Sequence, residues 1–267
     1  GSAGYYAREV WEEEKISNKT DVFSLGCVFF YIFSGGKRPF DKPSNPGNKM
    51  ITVNNICEGR SPNLWLIERD YPEVHNLVSD MINREREQRP SAAQVLEHLL
   101  FWPHERRFEF LCDVGSEKDV GSGAANARAV LPPSLAAGSS GGALHWDQQL
   151  DAQLVEEKTS KGQHYKYGQT TELLRFMRNV RQHPPLVGSA AEAALLLVPA
   201  AKEGESTVFR SGEGGASETI ATYFLSRYPH LLMRVYQAVH RAGWADRPSL
   251  AKYMPANNAT DGIGAPS

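Results

Sequence analysis

Cysteine is scarce in this chain: Cys27, Cys57 and Cys112 are the only three in 267 residues, far apart and odd in number. Such spacing offers neither a CxxC metal pair nor a disulfide framework, and it points to a reducing compartment. Long apolar runs are missing too. The best, Val22 to Phe33, lasts about a dozen residues and holds Ser24 and Gly26, whereas a bilayer span needs roughly 20. It reads as a buried core helix, and no membrane contact is expected. Alternating strand patterns are nearly absent, so the expected fold class is mainly α. Nor is there a charge excess, since 29 Lys and Arg stand against 31 Asp and Glu for a net −2. That excludes a bulk polycation, and any nucleic-acid site must be a local patch. The sequence opens on Gly1 without an initiator Met or a signal-peptide pattern, and it reads as a piece of something longer.

What is present suffices for a sizeable core, with 41% hydrophobic and 22% charged residues. Val22, Leu25, Phe29, Ile32 and Phe33 recur at threes and fours, which predicts a long buried helix opened by Thr20 or Asp21. Val74, Leu77, Val78, Met81 and Ile82 predict a second helix. Ala92, Val95, Leu96 and Leu99 predict a third, entered through Pro90-Ser91. Further on, Thr170 to His183, Ser217 to Tyr228 and His230 to Ala242 read as helices, the last two separated by Pro229. Between these lie two stretches of small residues, about 115–142 and 188–215. Few large apolar anchors offset their ordering entropy, so both read as flexible insertions, although Leu195 to Val198 have the apolar content to pack. The tail, 244–267, is expected to be disordered.

Four motifs stand in order in the first hundred residues. Gly1-Ser2-Ala3-Gly4-Tyr5-Tyr6-Ala7-Arg8-Glu9 is followed by Asp21-Val22-Phe23-Ser24-Leu25-Gly26. Gly35-Gly36-Lys37-Arg38-Pro39-Phe40 comes next, then Arg89-Pro90-Ser91. Together they resemble the second half of a protein-kinase large lobe, from the end of the activation segment onward, with Arg8 where that family has proline. The resemblance implies a partial kinase lobe over 1–101 in which Glu9, Asp21 and Arg89 are structural, Glu9 and Arg89 as a buried ion pair. The chain has no Gly-rich phosphate loop, no V-A-I-K lysine, no H-R-D loop and no D-F-G. By the resemblance, ATP or ADP and magnesium would belong to the missing part of the kinase, so no cofactor is expected here and phosphate transfer is excluded for this piece.

Thr170 to His183 is amphipathic at about 100° per residue. Leu173, Leu174, Phe176, Met177 and Val180 share one face; Arg175, Arg178, Asn179, Gln182 and His183 gather on the other, with Tyr165 and Lys166 just upstream. A basic helical face is in most proteins solvated surface, and a histidine at a helix end commonly meets the terminal carbonyls. The same groups also suit metal-independent cleavage of RNA, which carries its own nucleophile in the 2′-hydroxyl. Such cleavage needs a base, an acid and cations for the developing charge. An imidazole, with its ordinary pKa of about 6.5, serves as an acid. A phenol is a poor base unless cations such as Lys166 or Arg178 lower its pKa. From these residues alone both readings stay open.

Tyr165-Lys166-Tyr167-Gly168, Leu173-Leu174-Arg175, Met177-Arg178-Asn179, His183 and the later Arg227-Tyr228-Pro229-His230-Leu231-Leu232 resemble the kinase-extension nuclease (KEN) domain. That domain follows a kinase lobe in two families: the inositol-requiring stress sensor of the endoplasmic reticulum, a bifunctional kinase/endoribonuclease, and the 2-5A-dependent ribonuclease. The former is the closer match. The resemblance implies an all-helical nuclease domain over 102–243 that follows the lobe without a polar linker. It implies catalytic roles for Tyr165 (general base), Arg178 (phosphate clamp), Asn179 (orienting the scissile group) and His183 (general acid), with Lys166, Arg175 and Arg181 on backbone phosphates. It further implies stem-loop RNA as substrate, self-association through both domains, and a place in the unfolded protein response on the cytosolic face of the endoplasmic reticulum. The alternatives are a non-catalytic dimerisation or partner-binding module, and a relative of the 2-5A-dependent ribonuclease. Pro184-Pro185 depart from the family pattern, and Pro184 disfavours helical geometry at His183.

Overall fold

A computed structural model describes residues 3–133, 145–160, 162–196 and 216–254 of the chain. Among them the regular structure is helical, with one isolated bridge between Lys42 and Asn45 and no strand. The mainly α expectation holds. The chain forms two compact units, Gly1–Trp102 and Pro103–Met254, and no helix among the described residues is long and apolar enough to cross a membrane.

The first unit holds α1 (Arg8–Trp11), α2 (Asn18–Phe33), α3 (Lys49–Glu58), α4 (Pro72–Met81) and α5 (Ala92–Glu97). Helix α2 begins earlier than Thr20 or Asp21: Ser17 is its N-cap, and the Ser17 N–H donates to the Thr20 hydroxyl at 3.3 Å. Its buried face is Val22, Phe23, Cys27 and Phe30, whereas Leu25 and Ile32 of the expected stripe are exposed. The reason is Gly26, where a Cβ would stand 2.8 Å from the Met81 Cβ. The close approach of α4 turns that side of α2 inward. Val74, Leu77, Val78, Met81 and Ile82 are all buried, as their spacing predicts. A capping box opens α5, the Gln94 N–H donating to Ser91 Oγ at 3.2 Å and the Ser91 N–H to Gln94 Oε1 at 2.8 Å. Leu96 turns out exposed while Leu99, in the next turn, is buried.

Glu9 and Arg89 meet in this core. Arg89 donates to both Glu9 oxygens, at 2.6 and 3.0 Å, and the Thr20 hydroxyl adds a third bond at 2.8 Å. Burial pushes the Glu9 carboxyl up, but these hydrogen bonds outweigh it and hold the pKa at about 2. Asp21 differs from these two: it lies exposed in the first turn of α2 with no partner among the described residues. Arg8 approaches Glu12, Glu14 and Glu85 at 3.5 to 3.8 Å, an ionic anchor for the segment where proline is usual in the resembling family.

The second unit holds α6 (His104–Ser116), α7 (Lys118–Gly121), α8 (Ala125–Val130), α9 (Ala152–Thr159), α10 (Thr170–Gln182), α11 (Ala190–Leu196), α12 (Ala216–Arg227) and α13 (Leu231–Arg241). Two expectations of flexibility need correction. Residues 117–131 fold into α7 and α8 because Val120, Ala127 and Leu131 are buried, and Ala191, Ala194 and Leu195 likewise bury α11. Residues 134–144 and 197–215 lie outside the described residues. Nor is the start of the tail disordered. Trp244, Leu250 and Tyr253 are buried, the Tyr253 hydroxyl donates to Asp113 at 2.8 Å, and Arg247 pairs with Glu117 and Asp119. Residues 255–267 lie outside the described residues.

Candidate active site

Helix α10 carries most of the expected site, and α6 fixes its position. At Gly115 of α6 a Cβ would come within 2.4 Å of the Leu174 carbonyl oxygen, so only glycine lets the two backbones lie this close. Leu173, Leu174, Phe176, Met177 and Val180 are then fully buried, which sends Arg178, Asn179 and His183 outward. The Thr170 hydroxyl ties the start of the helix to the Pro132 carbonyl at 2.7 Å.

Tyr165 reaches α10 from the preceding loop. Its ring packs edge-on against Phe176 at 5.2 Å and against Trp146 at 6.0 Å. Trp146 is held in turn through its backbone, the amide N–H on the Tyr167 carbonyl and the carbonyl accepting from the Tyr228 hydroxyl at 2.5 Å. The tyrosine of the Arg227-Tyr228-Pro229 motif therefore supports the site from below.

Three of the four expected catalytic residues, buried Tyr165 and half-buried Arg178 and Asn179, join in one chain of hydrogen bonds. Arg178 Nε donates to Asn179 Oδ1 at 3.1 Å, and Asn179 Nδ2 donates to Tyr165 Oη at 2.7 Å. The phenol donates onward to Gln163 Oε1 at 2.7 Å, and Asn179 Nδ2 also lies 3.2 Å from that oxygen. Gln163 has no counterpart in the sequence reading. No periodicity or charge pattern marks an exposed loop glutamine; only its position two residues before Tyr165 could have drawn attention. The terminal nitrogens of the Arg178 guanidinium have no partner among the described residues and remain open to an anion.

His183 is the C-cap of α10, with φ −133° and ψ 78°, outside helical geometry as Pro184 requires. Its N–H still bonds the Asn179 carbonyl at 2.9 Å, and its own carbonyl accepts from Lys158 of α9 at 2.7 Å. The backbone is fixed at both ends while the ring is exposed, one helical turn beyond Asn179.

The expected phosphate ligands divide. Lys166 is exposed and unpaired among the described residues. Arg175 lies over the Tyr165 ring at 4.7 Å, donates to the His164 carbonyl at 2.7 Å and pairs with Glu172 at 2.8 Å. Arg181 turns to α6, where Glu109 at 3.2 Å and Asp113 at 3.9 Å hold it. Those two arginines are engaged within the fold. The cations that favour the phenolate are thus Arg175 and, as the sequence suggested, Arg178. Burial pushes the Tyr165 pKa above its ordinary value, more than the Asn179 hydrogen bond, Arg175 and Arg178 pull it down. The phenol is a proton donor in this geometry. Among the described residues no three His, Cys, Asp or Glu side chains gather as a metal site.

The protein kinase domain model matches residues 1–101, and the Ribonuclease 2-5A model matches 107–189. Over 240 residues, 90% of this chain, the sequence is 31% identical to the serine/threonine-protein kinase/endoribonuclease IRE1a of Arabidopsis thaliana, of which 25% is covered. It is 29% identical to ire-1 of Caenorhabditis elegans, over 89% of this chain and 22% of that protein. The chain is a homologue of these kinase/endoribonucleases. It spans about a quarter of the length of those relatives. One further relative, 27% identical over 88% of this chain and 40% of its own length, is named an inactive kinase/endoribonuclease IRE1-like protein of Arabidopsis thaliana. Likeness alone therefore does not assign activity, and the side chains of α10 must carry that argument.

Proposed function

We propose that the second unit is an endoribonuclease that cuts stem-loop RNA by attack of the 2′-hydroxyl, as the nuclease module of a bifunctional kinase/endoribonuclease in the unfolded protein response. The observation that carries this reading is the Arg178–Asn179–Tyr165 hydrogen-bond chain with exposed His183 one turn further along the same helix. Arg178 and Asn179 bind the scissile phosphate. The 2′-oxygen attacks phosphorus, and its proton passes to the Tyr165 phenolate. The bond from phosphorus to the 5′-oxygen breaks as His183 protonates that oxygen, leaving a 2′,3′-cyclic phosphate and a 5′-hydroxyl. The phenolate is a minor form at neutral pH because the Tyr165 pKa is raised, and His183 must carry its proton at the same time, so in this mechanism the rate follows the product of the phenolate and imidazolium fractions rather than phenolate alone. Self-association raises activity, and the module works on the cytosolic face of the endoplasmic reticulum; the family resemblance supports both.

Cleavage of a hairpin RNA in the presence of EDTA, with a cyclic-phosphate product, tests the reading. His183→Ala should slow single-turnover cleavage by about 10²–10⁴-fold, the usual worth of a positioned acid, with RNA affinity nearly unchanged. A histidine that only caps α10 would instead lower the melting temperature and leave cleavage intact. No cleavage by the intact chain, alone or at concentrations that drive self-association, would favour a non-catalytic binding module.

A further inference from the structure

The loop after α2 in the first unit is stiff by composition and by its bonds. Gly35, Gly36 and Gly47 adopt φ of 67°, 88° and 80°, and Pro39, Pro43 and Pro46 restrict the chain between them. The buried Asn63 carboxamide donates to the Arg38 carbonyl at 2.8 Å and to the Asp41 carbonyl at 2.9 Å. The Asp41 carboxylate is engaged inward, by the Gly47 N–H at 3.1 Å and the Thr52 hydroxyl at 2.7 Å. On the outer side this leaves a cleft of about 580 Å³ whose walls include Tyr31, Lys37, Arg38, Lys42, Pro46 and Trp65.

Two features of the cleft are unusual together. Trp65 is 65% exposed and Tyr31 44%, flat aromatic faces left in water. The head groups of Lys37, Arg38 and Lys42 form no ion pair and no hydrogen bond among the described residues, and Arg38 only rests over the Tyr5 ring at 5.8 Å. In the second unit, by contrast, Arg181, Arg227 and Arg247 each hold a carboxylate. Unpaired cations beside exposed aromatic faces are the two halves of a single-stranded nucleic-acid site, in which bases stack and phosphates pair. An acidic peptide would answer the charges but leave the indole uncovered.

We propose that this cleft binds a single-stranded segment of RNA, with a base stacked on Trp65 and the neighbouring phosphates on Lys37, Arg38 and Lys42. The choice of RNA rests on the ribonuclease reading above, but none of these residues belongs to the candidate active site. The cleft supplies affinity for single-stranded RNA and takes no part in the chemistry.

Fluorescence anisotropy of a labelled oligouridylate with 2′-O-methyl riboses, which the proposed chemistry cannot cut, measures the binding on the intact chain. Trp65→Ala should weaken it about tenfold, the worth of one stacked base, and Trp65→Phe should restore most of it. Combining Lys37→Ala and Lys42→Ala should reduce the slope of log affinity against log salt by about 0.7 per charge removed. Wild-type affinity in Trp65→Ala overturns the proposal, and so does an unchanged salt slope. Polyglutamate that displaces the oligouridylate and itself binds less well to Trp65→Ala also overturns it, in favour of an acidic-peptide site. Binding through Trp65 by a chain that cuts no hairpin would support the cleft and overturn the ribonuclease reading alone.

Discussion

The Tyr165 hydroxyl donates a hydrogen bond to the Gln163 carboxamide oxygen and accepts one from Asn179 Nδ2, each 2.7 Å long. A bond donated by the O–H stabilises the neutral phenol, whereas a bond received from N–H stabilises the phenolate. The charged groups around the ring are Arg175, Arg178 and Glu172, all on α10, and burial outweighs the two cations. Gln163 thus opposes the form in which Tyr165 would act as a base. Removing that acceptor with Gln163→Ala should ease phenol ionisation, raise the cleavage rate at neutral pH and move its alkaline fall to lower pH. Replacing it with an anion, Gln163→Glu, should lower the rate at neutral pH and move its alkaline fall to higher pH, since like charges resist phenol ionisation. Titration of a difluorotyrosine at position 165, intrinsically more acidic than tyrosine, gives the same comparison without RNA. Superimposable profiles for both variants would show that Gln163 has no hold on the phenol.

Among the elements, those long enough to show a pattern were the legible ones. Helix α10, with 13 residues, carries five large apolar side chains on one face and could be placed from sequence almost to the residue. Helices α7 and α8 have four and six residues and one buried residue each, too few to show a period. Their order comes from distant partners such as Arg247, whose ion pair with Asp119 spans 128 residues, and no local reading of the sequence contains that. The exposed Leu25 and Ile32 of α2 misled for a related reason, because spacing locates an apolar stripe but not the glycine at which a neighbouring helix comes closest. At Gly115 the same effect is tied to function. Gly115→Ala inserts a methyl group against the Leu174 carbonyl, a backbone atom that cannot move aside without α10. Overpacking of this kind costs about 1–3 kcal/mol. The variant should therefore melt at a lower temperature. It should also cut RNA more slowly even where fully folded, because Arg178 and Asn179 move with the helix. A fall in melting temperature with full activity at low temperature would show that the site tolerates the shift.

At the scale of the whole molecule, a buried ion pair between residues 80 positions apart ties the two ends of the first unit together. No periodicity links Glu9 to Arg89; the order of the kinase-like motifs is the only trace of the pair in the sequence. Its contribution to stability depends on pH. The folded pKa of Glu9 is about 2 against an ordinary 4.5, so stability is fully present above the unfolded value and is lost as pH falls from about 4.5 toward 2. Through linkage the loss amounts to about 3 kcal/mol, a large part of what a domain of this size has to spare. Acid should therefore unfold the first unit in that window, followed through the fluorescence of Trp11 in a variant whose other tryptophans are replaced by phenylalanine. Glu9→Gln leaves Arg89 buried without its counter-charge and should cost about 3–5 kcal/mol at neutral pH, while removing the pair's share of the acid sensitivity. Glu9→Gln combined with Arg89→Met removes both charges and should recover part of that loss, since a buried pair replaced by uncharged groups of similar volume is often close to neutral. If Glu9→Gln kept wild-type stability at neutral pH and the same acid midpoint, the pair would not be what ties those ends together.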